Sequence, residues 1–251
     1  MIETHGLVDF HCHLDLYQNY IEEIRNADEA GVFTLAVTTT PRAWPHNNEL
    51  AQKTKYVRAA LGFHPHLVAT DEQELEIWDK YFPLTRYIGE VGLDASPKYY
   101  SSFEAQKRVF RHILSRCAES GDKIISVHST RATKQVLDHI ELYMPINRGK
   151  VVLHWFTGSK SEAKRAVELG CYFSINREML QKENSIKMVE SIPIDKLLTE
   201  TDGPFTTRGE RPMRPTDAIL AVKALKHLHG VSEENVLTQI KNNLRSLLSQ
   251  G

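Results

Sequence analysis

The chain is 251 residues long, enough for one large domain or two smaller ones. Its 31 basic and 32 acidic residues leave a formal net charge of −1, which excludes a globally basic nucleic-acid binder, so any phosphate affinity must be local. With 41% hydrophobic and 25% charged residues, the composition also excludes a disordered chain.

Short apolar runs alternate along the chain with segments of helical spacing. Strands are predicted over 7–11, 32–38, 57–62, 87–90, 124–128, 151–154, 171–175 and 197–201. Amphipathic spacing predicts helices over 103–119, 132–143, 162–169 and 186–189, and two more over 217–229 and 233–248. Ser101 or Ser102 with Glu104, and Ser159 or Ser161 with Glu162, read as helix starts. Gly31, Gly121 and Gly170 stand just before strands, where a helix end favours a left-handed residue. Parallel strands need crossover helices, so eight alternations imply an α/β fold. Within this length they suit a closed TIM (β/α)8 barrel with two extra C-terminal helices. No Gly-x-Gly-x-x-Gly follows an early strand, which argues against a dinucleotide-binding sheet. A single domain over 1–251 is expected, with no linker or repeat.

Cys12, Cys117 and Cys171 form no Cys-x-x-Cys and leave one thiol unpaired, as in a reducing compartment. Residues 1–15 carry Glu3, Asp9 and Asp15 without a basic stretch, and no apolar run approaches the ~18–20 residues of a membrane span. A cytoplasmic protein without a membrane partner is therefore expected.

Histidine, with 12 copies, is the enriched chemical type. His11 and His13 close the first strand, and alternation points both to one face, with Cys12 on the other. Glu90, His128, His154 and Asp202 each end a later strand. Singly, each could be a hydrogen-bonded rim residue. Together they are four histidines and two carboxylates at the C-terminal ends of five strands, the rim where barrel enzymes place their chemistry. Imidazole and carboxylate suit zinc or a similar divalent ion. Six ligands exceed one tetrahedral shell, so two ions sharing a carboxylate are expected.

Five ordered stretches carry a resemblance: Asp9-Phe10-His11-Cys12-His13-Leu14-Asp15, Gly62-Phe63-His64-Pro65-His66, Gly89-Glu90-Val91-Gly92-Leu93-Asp94, Leu153-His154-Trp155-Phe156-Thr157-Gly158 and Glu200-Thr201-Asp202-Gly203-Pro204. They resemble the motif set of the TatD family, metal-dependent deoxyribonucleases among the amidohydrolase-like barrels. The resemblance runs from residue 7 to about 248, where Asn243-Leu244-Arg245 is similar to the family's closing element. Val37-Thr38-Thr39-Thr40-Pro41 with Trp44, and His154-Trp155-Phe156, further resemble the QatD branch of bacterial anti-phage cassettes. The resemblance implies that His11, His13 and Asp202 bind one metal and His128 and His154 the other, with Glu90 bridging. A glutamate in that role separates the chain from amidohydrolases that bridge with a carbamylated lysine.

Three departures stand out. After the fifth strand the chain reads His128-Ser129-Thr130-Arg131-Ala132, with arginine displaced by one position. Asp94 is followed by Ala95-Ser96-Pro97 instead of an aromatic pair, and the chain closes with Leu247-Leu248 where the family often has Leu-Phe.

The resemblance implies a DNase acting from the 3′ side with two divalent ions (Zn2+, Mg2+ or Mn2+). Asp202 is the candidate general base as well as a ligand, or a ligand only. His64 matches a substrate-contact position, and His66 shares its rim. Arg208, Arg211 and Arg214 offer local positive charge, with Arg208 the expected contact. Trp44, Trp155 and Phe205 are candidates for base stacking, although alternation after His154 turns Trp155 towards the helices. The expected partners are DNA ends or single strands and other subunits of a defence system. Two other readings remain: hydrolysis of a C–N or ester bond, such as D-aminoacyl-tRNA deacylation, and a non-catalytic subunit of a defence complex.

Overall fold

The computed structural model describes residues 6–68 and 73–249. Eight parallel strands carry the architecture: β1 (Val8–Cys12), β2 (Phe33–Val37), β3 (Val57–Ala60), β4 (Tyr87–Gly92), β5 (Ile124–His128), β6 (Lys150–His154), β7 (Tyr172–Ile175) and β8 (Leu197–Thr199). They pair in the order β1-β2-β3 and β4-β5-β6-β7-β8. One seam is closed by Leu61, which bridges Ile88, and by Phe63 N–H donating to Glu90 O at 3.0 Å. At the other seam Asp202 N–H donates to His11 O at 2.9 Å and Thr201 N–H to Asp9 Oδ1 at 2.8 Å. The result is the closed α/β barrel that the alternation predicts.

Helices α1 (Tyr20–Glu29), α2 (Trp44–Ala51), α3 (Glu74–Tyr81), α4 (Phe103–Ser120), α5 (Thr133–Tyr143), α6 (Lys160–Glu168) and α7 (Glu183–Glu190) connect successive strands, and α8 (Ile219–His229) and α9 (Glu233–Leu248) follow β8. Spacing alone does not bound the first three helices. They are short, and α2 and α3 each adjoin a 3-10 turn that interrupts the 3.6-residue period. At the other end of the chain the helix predicted from residue 217 begins at Ile219, because Pro215–Ala218 form a 3-10 turn. A short antiparallel hairpin, β9 (Thr207–Arg208) with β10 (Arg211–Pro212), projects after β8.

The helix-end signals fare unequally. Gly31, Gly121 and Gly170 all adopt positive φ. Ser159 caps α6 with the reciprocal Glu162 bond of a capping box. Ser102 does not cap α4. Its hydroxyl donates to Tyr99 O at 2.9 Å and accepts from Gln106, so the preceding 3-10 turn takes the bond that the helix would have used.

Alternation in the strands splits two chemistries. Phe10 stacks on Phe33 beneath the helix layer, while Asp9 meets Thr201 at the closing seam and His11 meets Ser126 across the barrel. Ser126 on β5 and Ser174 on β7 are buried with their hydroxyls bonded to His11 and Glu200. Strand pairing shifts register between Asp9 and Cys12 and again between Ile88 and Val91. These irregularities lie where His11 and Glu90 stand, and a bulge re-aims a side chain that strict pleating would hold on its row. Gly92 has φ 141° and no room for a side chain, since a Cβ would lie 2.1 Å from His128 O. Only glycine lets β4 pass that close to His128.

Candidate metal centre

Glu90 stands at the middle of the C-terminal rim, buried, and its two oxygens face different sets of nitrogens. Oε2 lies 3.5 Å from His11 Nε2 and 3.2 Å from His13 Nε2. Oε1 lies 2.7 Å from His128 Nδ1 and 3.3 Å from both His154 Nε2 and His64 Nε2. Asp202 joins the first set, with Oδ1 3.8 Å from His11 Nε2 and 3.6 Å from His13 Nε2. The His11 and His154 rings stack at 3.7 Å and so stand side by side above the carboxylate. All six residues expected as ligands thus converge. Five of them, without Asp202, make up two groups able to hold a metal, His11-His13-Glu90 and Glu90-His128-His154, with Glu90 common to both; His64-His66-His128 and His11-His154-Glu200 are two more such groups.

Electrostatics favour a cation here. Glu90, Asp94, Glu200 and Asp202 are all buried, yet no Lys or Arg ion pair reaches any of them among the described residues. Buried carboxylates without such pairing call for metal or imidazolium. His11 Nε2 is itself buried without a hydrogen-bond partner while aimed at two carboxylates. A nitrogen and oxygen donor set of this kind fits a divalent ion of zinc-like or harder character.

Burial and the neighbouring His154 hold the His11 imidazole well below its usual range, and burial brings His64 down to about 4. The His11 ring therefore keeps a lone pair at neutral pH, which a ligating nitrogen needs, whereas the lone pair of His64 Nδ1 is taken by the His66 backbone N–H, which donates to it at 3.1 Å. Burial alone would raise Glu90, but the imidazoles of His64, His11 and His128 outweigh it and hold the carboxyl well below its usual range. Asp202 is pushed the other way, to about 7, because burial outweighs the pull of His154 and His13. For His128 the bonds to Asp94 and Glu90 overcome burial and raise the ring; for His154 Glu200 and Glu90 do the same.

The structure adds an outer layer of partners. His154 Nδ1 faces the Glu200 carboxylate at 3.3 Å, and Glu200 is held by Asn176 Nδ2 at 2.9 Å, by Trp155 N–H at 3.1 Å and by Ser174. Asp94 Oδ2 lies 3.0 Å from His128 Nε2 and 2.7 Å from His66 Nε2. Ser126 Oγ meets His11 Nδ1 at 2.8 Å. Such partners fix the tautomer and orientation of a ligating ring. Sequence reasoning does not find Glu200 and Asp94 as functional residues. The available signal was spacing: Glu200 is two residues before Asp202, and Asp94 four after Glu90.

His64 and His66 both line the main cavity, about 850 Å³, that opens over the cluster. His64 is nearer the centre than a mere rim contact, and His66 is tied to Asp94 with Tyr99 stacked on it at 3.5 Å. Three expectations are corrected. Arg208 does not line the cavity: its guanidinium pairs with buried Asp217 at 2.8 Å, and Arg211 binds the same carboxylate at 2.7 Å. Trp44 is buried in α2 and cannot stack a base. Trp155 lines the cavity instead of facing the helices, because β6 ends at His154 and Trp155 takes φ 37°, outside the strand's alternation. Asp202 (φ 54°) and Arg131 (φ 54°) also line the cavity in this uncommon conformation, which concentrates at functional sites. Asn243, from the closing motif, bonds Ile194 O and Leu197 O at 2.7 Å and anchors α9 to the start of β8.

Similarity to known proteins agrees with this geometry. Human deoxyribonuclease TATDN3 is 29% identical over 263 residues, covering 96% of this chain and 94% of the relative. The 3′-5′ ssDNA/RNA exonuclease TatD of Pantoea vagans is 27% identical over 241 residues, covering 89% and 91%. In fold, the crystal structure of the TatD homologue YjjV from Escherichia coli superposes with a TM-score of 0.86 at 23% identity, over 97% of this chain and 98% of that one. Residues 8–249 match the family model described as TatD related DNase, and the chain belongs to that family.

Proposed function

We propose that the chain is a metal-dependent deoxyribonuclease that removes nucleotides from the 3′ ends of DNA strands. His11, His13 and Asp202 would hold one divalent cation (Zn2+, Mg2+ or Mn2+) and His128 and His154 a second, with Glu90 contributing to both. The observation that carries this reading is the division of the Glu90 oxygens between two imidazole sets. Bound there, the cations supply Lewis-acid polarisation of a phosphoryl oxygen and activation of water at neutral pH. The 3′ direction is taken from the Pantoea vagans relative.

The chain's own residues do the rest. Asp202 lines the cavity and is positioned to accept the proton of the attacking water. His64 and His66 face the same cavity and hydrogen-bond the scissile phosphate, His66 being oriented by Asp94. Ser126, Asp94 and Glu200 hold the rings of His11, His128 and His154 in place.

The test is release of nucleotides from a labelled single strand during a Mg2+ or Mn2+ titration. Activity should appear with metal and vanish in Asp202→Asn. Equal activity in that variant would overturn the reading. So would turnover of an aminoacyl ester or lactone without phosphodiester cleavage, which would make the protein a C–N or ester hydrolase.

A further inference from the structure

Three of the four expected ligand rings have their outward nitrogen engaged: His11 Nδ1 by Ser126, His128 Nε2 by Asp94 and His154 Nδ1 by Glu200. His13 differs. Its Nε2 faces Glu90 and Asp202, while its Nδ1 is buried with no hydrogen-bond partner among the described residues. A neutral ring that ligates through Nε2 carries its proton on Nδ1, so a buried N–H here needs an acceptor.

Two acceptors with the complementary need stand nearby. His13 leads into the 3-10 turn Leu14–Leu16, which carries Asp15 two residues beyond the ring. Asp15 Oδ1 is buried without a partner, and so is Asn47 Oδ1 on α2. The Asn47 amide is fixed against Asp15, its Nδ2 lying 3.3 Å from Asp15 Oδ2 and donating to Ala43 O at 3.0 Å. Burial raises the Asp15 carboxyl, and His13 exerts the strongest opposing pull, so each side chain lies within the other's field. Yet neither acceptor bonds Nδ1 directly. One donor and two acceptors match a single water molecule, which accepts one bond and donates two. Buried waters usually make about three such bonds.

We propose that Asp15 and Asn47 hold an ordered water against His13 Nδ1–H and thereby position the His13 ring for the cation it shares with His11 and Asp202. The proposal rests on the metal-centre reading above and supplies the partner that His13 lacks among side chains. Asp15 touches neither cation nor substrate in this role; it is a positioning residue that acts through His13. A carboxylate relayed through water fixes the ring's tautomer and orientation and raises its basicity as a ligand, as a directly bonded carboxylate does.

The full chain, labelled with 15N in its histidines and loaded with Zn2+, should show a slowly exchanging Nδ1–H for His13, identified by its loss in His13→Gln. That proton should cross-relax with bound water. Calorimetric titration with Zn2+ should resolve two equivalents in the wild type. Asp15→Ala should weaken one of them about 10–100-fold and leave the other unchanged. Asp15→Asn, which keeps an acceptor oxygen, should lose less, and Asn47→Ala should weaken the same equivalent. Should Asp15→Ala fail to fold, the wild-type spectrum and Asp15→Asn decide the matter. A His13 ring protonated on Nε2, or an Nδ1–H without contact to water, would overturn the proposal. So would an Asp15→Ala variant that loses stability but binds both equivalents as the wild type does. If Asp15→Ala separates the two equivalents but the wild type never cuts a phosphodiester strand, the nuclease reading fails and the role of Asp15 stands. Metal-dependent cleavage with unchanged Zn2+ affinity in Asp15→Ala overturns that role and leaves the nuclease reading standing.

Discussion

The two ends of the barrel use charge in opposite ways. At the N-terminal end, around the starts of β4, β5 and β6, the cations are committed to main-chain carbonyls. Buried Lys123 donates to Thr85 O at 2.7 Å, Arg148 to Ala118 O and Glu119 O at 2.7 and 2.8 Å, and Arg86 to Leu248 O at 2.8 Å. Arg148 thereby satisfies carbonyls at the end of α4, a favourable place for positive charge. At the C-terminal end, imidazoles crowd carboxylates, and a buried nitrogen of His11 has no hydrogen-bond partner. One end is electrostatically complete by itself, and the other calls for a cation. Polarity alone does not separate them; their partners do.

Glu90→Gln should break the contrast most severely. Both nitrogen sets lose their common anion, and hydrolysis should fall by on the order of 10³-fold or more, read in single turnover beside the metal content of the purified variant. Retained activity with two equivalents of metal would remove Glu90 from the bridging role. Metal addition should likewise act through this end. At about 100 times its Kd, a cation bound only by the folded chain contributes about 2.7 kcal/mol, or roughly 5–10 °C in Tm for a chain of this size. A chelator should reverse the shift, and Glu90→Gln should abolish it. An unchanged Tm across the metal titration would count against a native metal site.

Asp94→Asn sharpens the comparison at the same end. It keeps the shape but weakens the carboxylate that orients His128 and His66, and should cost about 10–100-fold in metal affinity or activity. If only stability changed, Asp94 would belong with the structural charges of the opposite end. Lys123→Met should do the reverse, costing about 1–3 kcal/mol in urea denaturation by leaving Thr85 O without its donor, while kcat stays the same. Loss of activity at full folding would contradict a purely structural N-terminal end. The smallest effect is expected for Arg208→Ala, about 0–1 kcal/mol of stability, because Arg211 and the Arg214 N–H still hold Asp217.

Much of the metal centre is legible in the amino-acid order, since each expected ligand stands at or within three residues of the C-terminal end of a strand, and those ends share one rim. Less legible are the residues that hold those ligands. Glu200 reads locally as a polar residue near a strand end, and only the neighbouring β6 and β7 bring His154, Ser174 and Asn176 to it. Arg208 misleads for a related reason. Its loop is rich in arginine, but Asp217, nine residues on, folds back and takes the charge. Trp155 misleads because alternation holds only while a strand lasts, and the positive φ just past β6 turns its side chain into the cavity.

The order of apolar runs and the placement of His11, His13, Glu90, His128, His154 and Asp202 were determined by the sequence alone, because period and strand-end position are local properties of a chain. Barrel closure, the two register shifts beside His11 and Glu90, and the division of the Glu90 oxygens were decided only by tertiary structure. Each depends on contacts between segments distant in sequence: Asp202 meets β1 across the closing seam, and Glu90 meets His11, His64, His128 and His154 from four other strands or their loops. Spacing along one chain can nominate ligands, but their geometry and their remaining partners arise only when the strands come together.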